Sequence, residues 1–472
     1  MTGRLSRREF LEGAAVGGAL LAAPWLSRRA FAAEAESWPA MPPVKIHKVF
    51  VGRTGGYMAR PTEEKARLDQ YLDDLGKRLG DVEFVGGETI PPANPDAVAA
   101  QAAGADALLV IWLSGHGGNT PILEKLFAAG LPSALFFQPF GGHGWMYLQE
   151  WKKKAQRVIL MSTSDWSDLD RVVALLRVPA RMKQTRIFAV GGLRGTAAAK
   201  SPEQVKQVLG AEVVSLPNAR ILEVAQGIDP AAAEAEAEQY WISQAREIIE
   251  PKRPEIIESA RYFLAVRKLM IEERVQAITS SHCMGNPRGC LTFSKLNDLG
   301  YVGACEGDID STLTMLLFAY AFRAPGFITD PVVDTAKNAL VHFHCTSATK
   351  MDGVGGPRLP FVIRNQTDSG GGVALQVEHR VGQPVTCAKL VNLDTMLFVP
   401  GKIIETSTSP NACRTQFAQT APDAQRLFLN WGADVIKGDT MTLLHRAVFY
   451  GDHTRSMQML GDLMGFKVME EG

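Results

Sequence analysis

Several absences narrow the problem before any motif is read. The 472 residues hold only six cysteines (283, 290, 305, 345, 387 and 413), with no CxxC pair and no zinc-finger spacing. A chain this long has core enough to fold without disulfides, so buried free thiols are expected for most of them. Charge of one sign is missing too: 50 basic residues balance 50 acidic ones. That balance lacks the basic footprint of a nucleic-acid binder. No Walker spacing and no complete GxGxxG occurs, so nucleotide binding has no support. No segment beyond the N-terminus reaches membrane-spanning length without charges. Internal repeats and low-complexity linkers are absent as well.

What is present begins with Ser6-Arg7-Arg8-Glu9-Phe10-Leu11, a paired-arginine box. A small-residue apolar run, Gly13 to Leu26, follows, and Ala30-Phe31-Ala32 supplies an A-x-A cleavage site. Basic start, short apolar stretch and small-residue cut make a removable export signal over residues 1–32. The run is shorter than the roughly 20 residues a spanning helix needs. The expectation is delivery to the periplasm by the twin-arginine machinery, with no membrane attachment once processed. Removing this segment leaves 45 basic and 48 acidic residues, a charge of −3.

The remaining 440 residues exceed what one core serves, and their pattern divides them into three. From Val44 to about Val178 apolar runs (Val44–Val51, Ala107–Leu113, Ala134–Phe137, Val158–Met161) alternate with helical stretches at Thr62–Leu79 and from Pro121. Strand–helix alternation predicts a parallel sheet covered on both faces. A second unit opens at Thr185–Val190. It continues through helix Pro202–Leu209, strand Glu212–Leu216 and a long helical tract from Ala231 to about Arg274. Strands Val275–Ser281 and Tyr301–Cys305 and a helix over Asp310–Ala321 complete it. Beyond Asp330 short β-rich runs take over (Ala339–Cys345, Gly372–Val381, Val385–Asn392, Thr395–Pro400, Lys402–Ser407). The predicted fold class is α/β, with two doubly wound, Rossmann-like domains (44–180 and 181–328). A mostly antiparallel, barrel-like β domain (329–472) follows them.

Ligands of open α/β sheets bind at the carboxyl ends of strands. Three glycine-rich loops stand at such ends: Ser114 to Asn119 with His116, Gln138 to Gly144 with His143, and Gly191 to Gly195. Glycine beside histidine lets backbone and imidazole approach a small polar ligand. A sharper set lies later. Cys305-Glu306-Gly307-Asp308 puts acids after a short apolar strand, Asp330 ends Gly326-Phe327-Ile328-Thr329, and Asp334 follows. His342 and His344 alternate, so they share one strand face. His445 follows Met441-Thr442-Leu443-Leu444. A lone histidine in an apolar run is more often a satisfied core residue. Carboxylates and imidazoles at strand ends are, however, the ligands that divalent Mn or Mg accepts.

Gly303-Ala304-Cys305-Glu306-Gly307-Asp308 resembles the A-x-E-G-D segment of the L-arabinose and L-fucose isomerases, whose Glu binds the catalytic manganese. The Phe327-x-x-Asp330 segment resembles the second acidic ligand of the fucose enzymes. Leu340-Val341-His342-Phe343-His344 resembles the arabinose-isomerase strand that ends in a metal-associated His. Leu444-His445-Arg446-Ala447-Val448-Phe449 resembles the segment carrying the family's last metal His, with Leu444 where the family has Asn. Val110-Ile111-Trp112-Leu113, the segment Arg186 to Gly195 and the domain order follow the same layout.

This resemblance implies a metal-dependent aldose–ketose isomerase acting on a free sugar through an ene-diol. Glu306 and Asp330 would be metal ligands and proton-transfer groups, His445 would complete the shell, and His344 would be a weaker or water-mediated ligand. His116 and His143 are candidates for holding sugar hydroxyls. The implied cation is Mn2+, or another such as Mg2+ or Co2+. The implied assembly is a homo-oligomer, a hexamer with active sites between subunits. Another metal-dependent sugar enzyme (epimerase or lyase) and a non-catalytic periplasmic sugar-binding protein stay open as alternatives.

Overall fold

A computed structural model describes residues 38–52, 61–89, 94–115, 120–139, 141–154, 157–283, 285, 287–367, 370–432, 435–436 and 443–472. The expected export segment 1–32 and His116 lie outside the described residues. The chain divides into Met1–Met41 and Pro42–Gly472, and all that follows concerns the second unit. Among the described residues no helix is long and apolar enough to cross a membrane.

The first sheet holds β1 (Val44–Val51), β2 (Val82–Glu88), β3 (Ala107–Trp112), β4 (Ser133–Phe137) and β5 (Val158–Ser162), in the order β2-β1-β3-β4-β5. All its pairings are parallel. Every residue of β3 is buried, as a central strand covered on both faces requires. Val110, Trp112, Leu123, Leu135, Phe137 and Trp151 share one core there. Edge strand β2 has no counterpart among the sequence-based expectations. Its sequence, VEFVGGE, is half-buried and has two glycines at positive φ before its last residue, so it carries neither sustained alternation nor a buried apolar run.

The second sheet takes β6 (Arg186–Val190), β7 (Glu212–Leu216), β9 (Ala277–Ser280) and β10 (Val302–Cys305), in the order β10-β9-β6-β7, again parallel. The continuous helix expected over 231–274 is broken. A helix at Pro230–Glu236, a π-helical turn and a 3-10 turn run to Gln244, then β8 (Glu247–Ile248) intervenes before helix Arg253–Glu272. Pro251 and Pro254 forbid one uninterrupted helix, although Pro254 suits the first turn of the second.

The last third contains β11 (Phe327–Asp334), β12 (Ala339–His344), β13 (Phe361–Arg364), β14 (Ala374–Val377), β15 (Pro384–Val391), β16 (Thr395–Thr406), β17 (Thr415–Thr420), β18 (Arg446–Tyr450) and β19 (Lys467–Glu470). Antiparallel pairing runs β15-β18-β11-β12-β17-β16 and returns to β15, closing a six-stranded barrel. β19 adds to β16 in parallel, and β14-β13-β8 form a small separate sheet. The two strands expected at Thr395–Pro400 and Lys402–Ser407 are one. Gly401 carries the chain through, because any Cβ there would strike the Thr420 carbonyl of β17.

Candidate metal centre

The loops after β6, β9 and β10 meet at one end of the second sheet. The Ser281 amide donates to the Val190 carbonyl (3.0 Å), and the Arg194 amide to that of Gly307 (2.9 Å). The Ile309 amide in turn donates to the Arg194 carbonyl (3.1 Å). Between these contacts the chain turns sharply. Glu306 has φ +61° and Gly307 +74°. A Cβ at Gly307 would lie 2.6 Å from the Gly192 carbonyl oxygen, so glycine is required there. A left-handed glutamate is uncommon and calls for an explanation in function. The turn leaves the Glu306 side chain 27% exposed while Asp308, two residues on, is sealed.

Asp308 caps the buried helix Ile309–Phe322. Its Oδ1 accepts the Ser311 amide (2.9 Å), and its Oδ2 accepts Ser311 Oγ (2.8 Å). Lys389 of β15 brings Nζ to 2.7 Å of Oδ2, and both partners are fully buried. Burial works against this carboxylate's charge. Lys389 and His445 overcome it and hold Asp308 well below the ordinary carboxylate range.

The barrel supplies the other side chains. Thr329 of β11 pairs with Arg446 of β18, and Asp330 pairs with Phe343 of β12. Antiparallel register thus sets Asp330 beside His445, which immediately precedes β18, and beside His344, which ends β12. His445 Nε2 lies 3.2 Å from Asp330 Oδ1, and His344 Nε2 lies 4.0 Å from Asp330 Oδ2. The two imidazole rings stand 5.6 Å apart at 76°. On its other side His445 Nδ1 is 3.1 Å from Asp308 Oδ2. Burial alone would depress His445, but the two carboxylates hold its pKa up at about 9. Asp330 is likewise penalised by burial, yet His344 and His445 keep it below its usual value.

Despite their proximity, His445 Nε2 and Asp330 Oδ1 form no hydrogen bond of acceptable geometry, and both are buried. Such atoms are costly unless something else satisfies them. Among the described residues two groups of three could hold a cation: Asp330, His344 and His445, and Cys305, Glu306 and His344. Within each group the ligand atoms all lie within 4.8 Å of one another. His344 belongs to both. One carboxylate and two imidazoles are donors that a divalent cation accepts, so the first group could hold such an ion without singling one out.

No protein-family model matches the chain, and no curated protein matches it. The centre is therefore read from its own residues.

The structure brings Asp330, His344 and His445 together and sets Glu306 against His344. His143 stands apart from them in sequence and sheet, exposed in the loop after β4 of the first sheet. His342 shares the inner face of β12 with His344 but spends both nitrogens inside the barrel. Its Nδ1 is 2.9 Å from Thr329 Oγ1, and its Nε2 is 3.0 Å from Gln419 Oε1. Burial lowers its pKa to about 3. Asp334 ends β11 and accepts the Ala336 and Lys337 amides of the turn that follows.

Sequence reasoning gave Lys389 no part in the site. The signal was a lysine inside the otherwise apolar run Val385–Val391, since lysine is almost never fully buried without a partner. Cys283 and Cys305, expected only as buried free thiols, are buried and free and stand beside Glu306. Their sulfurs lie 3.1 Å apart, and the Glu306 amide donates to Cys283 Sγ (3.3 Å). Asp310, fully buried under the Thr196 amide and hydroxyl, likewise had no part in the sequence-based site. Burial raises its pKa to about 6 against the opposing pull of Lys389.

Proposed function

We propose that the protein is a metal-dependent aldose–ketose isomerase that acts on a free sugar. The observation that carries this reading is the convergence of Asp330, His344 and His445, with Glu306 reaching the same His344 from the α/β side. Asp330, His344 and His445 would hold Mn2+, Mg2+ or Co2+, with Glu306 as a further ligand. Bound there, such an ion would polarise the sugar's carbonyl and hydroxyl oxygens and offset the negative charge of an ene-diol.

The chain's own residues do the rest. Moving a carbonyl from C1 to C2 takes a proton from C2 and returns one to C1, with compensating transfer between the two oxygens. Glu306 is the proposed base, because its carboxylate is partly exposed and held out by the left-handed turn. Arg194 Nη1 stands 4.0 Å from Glu306 Oε2. Asp330 is the second proton-transfer group. Asp308 fixes the His445 ring through Nδ1, so that Nε2 points at Asp330, as a carboxylate behind a ligating histidine does.

The rest of the reading belongs to the same proposal. The strand orders β2-β1-β3-β4-β5 and β10-β9-β6-β7 support doubly wound domains over 44–180 and 181–328, with the barrel beyond. The likeness to the L-fucose and L-arabinose isomerases, a hexameric assembly and periplasmic delivery through the paired-arginine segment complete it. The test is incubation of the purified protein and Mn2+ with a panel of carbon-13-labelled aldoses and ketoses. Interconversion of one pair supports the reading, and inertness towards all of them with the metal bound rejects it.

A further inference from the structure

We infer that this centre carries a second cation position, for a soft, sulfur-seeking ion such as Zn2+ or Cd2+, built from Cys283, Cys305, Glu306 and His344. It goes beyond the isomerase reading, because no step of that reaction calls for a thiol.

Three observations carry it. The sulfur of Cys305, a carboxylate oxygen of Glu306 and a ring nitrogen of His344 lie within 4.8 Å of one another, as a second set that shares only His344 with the Asp330 group. Side chains of neighbouring residues in an extended strand point to opposite faces, so Cys305 and Glu306 should diverge. The φ of +61° at Glu306 breaks that alternation, and both donor atoms reach His344 instead. Cys283, from the loop after neighbouring strand β9, brings a second sulfur to 3.1 Å of the first. Two sulfurs, one imidazole and one carboxylate are donors of the kinds and number that Zn2+ takes. Thiol ligands shift selectivity towards such ions and away from Mn2+ or Mg2+.

Both sulfurs are buried, while the Glu306 side chain keeps contact with solvent and marks the way in. Binding balances without electron transfer. One divalent ion displaces the protons of two thiols, forms two metal–sulfur bonds and releases two H+. Because His344 serves both groups, an ion in the soft position withdraws that ligand from Asp330 and His445. The two positions therefore compete.

Cobalt is the probe, since thiolate bound to Co2+ gives a near-ultraviolet sulfur-to-metal charge-transfer band that oxygen and nitrogen ligands do not. The full chain, kept reduced with a phosphine, is titrated with Co2+ and then with Zn2+. Wild type is expected to develop the band with release of about two protons per Co2+ bound at the thiols, and to lose it as Zn2+ displaces cobalt. Cys305→Ser and Cys283→Ser should each abolish or strongly weaken the band, while Asp330→Asn keeps it. A wild-type protein that binds cobalt with no such band, or binds none, overturns the proposal without recourse to any variant. The isomerase reading is judged separately, by sugar turnover with Mn2+, which this spectrum does not report.

Discussion

His445 Nε2 and Asp330 Oδ1 face each other across 3.2 Å, both buried and neither hydrogen-bonded. Asp308 fixes the opposite edge of the same ring. In the proposed metal centre, a histidine pinned at one nitrogen and aimed at a carboxylate with the other would share a cation with it. Asp330→Asn and His445→Gln should therefore each abolish thermal stabilisation by Mn2+. In wild type, ligand at a hundredfold excess over its dissociation constant adds about 2.7 kcal/mol. The comparison is melting temperature with Mn2+ and with chelator, and a variant that keeps the full wild-type rise would count against the assignment.

The fully buried Asp308–Lys389 pair carries a stability prediction. Lys389→Met leaves a buried carboxylate without its main counter-charge, which in comparable sites costs about 3–5 kcal/mol. Adding Asp308→Asn to Lys389→Met should recover part of the loss, because no uncompensated charge remains. The measurement is urea unfolding of the two variants against wild type. A double mutant less stable than Lys389→Met alone would show that the cap on Ile309–Phe322 outweighs the charge pairing.

Acid sensitivity should arise in part from His379. Its Nε2 is 3.0 Å from Ser347 Oγ and its Nδ1 3.0 Å from the Tyr450 hydroxyl, in a fully buried position. Burial, helped by nearby His342 and Arg380, lowers its pKa to about 3. The unfolded chain binds a proton near the ordinary histidine value while the folded chain does not. The contribution is thus intact above about pH 6.5 and is lost as pH falls from there towards 3, by up to about 1.4 kcal/mol per pH unit. His379→Gln should make stability fall less steeply across that window in urea titrations. An unchanged slope would remove His379 from the account.

Much of this was legible in the sequence, and for physical reasons. Strands such as Ala107–Trp112 are continuous buried runs, and Glu306, His344 and His445 sit at strand ends, with Asp330 inside β11, where polar side chains in apolar company stand out. What was not legible depends on pairing between distant segments. Nothing local says that Lys389 lies against Asp308, 81 residues away, or that Cys283 meets Cys305. His342 and His344 read alike in sequence, yet Thr329 and Gln419 engage one while the other joins the cluster. The half-buried edge strand β2 and the break between Glu236 and Arg253 were hidden because neither shows a period of its own.

Glu306→Gln tests the central claim most directly. It keeps the side chain's size and an oxygen able to face the cation but removes the basic carboxylate. A positioned acid or base is worth about a hundredfold to ten-thousandfold in rate. With saturating Mn2+ and the best sugar of the panel, the variant should lose turnover by at least about two orders of magnitude. Its exchange of the substrate's C2 hydrogen with solvent deuterium should fall in step, while its fold and part of its metal are retained. Near-equal turnover and exchange in wild type and Glu306→Gln would contradict the account, because proton abstraction at C2 would then not depend on this carboxylate.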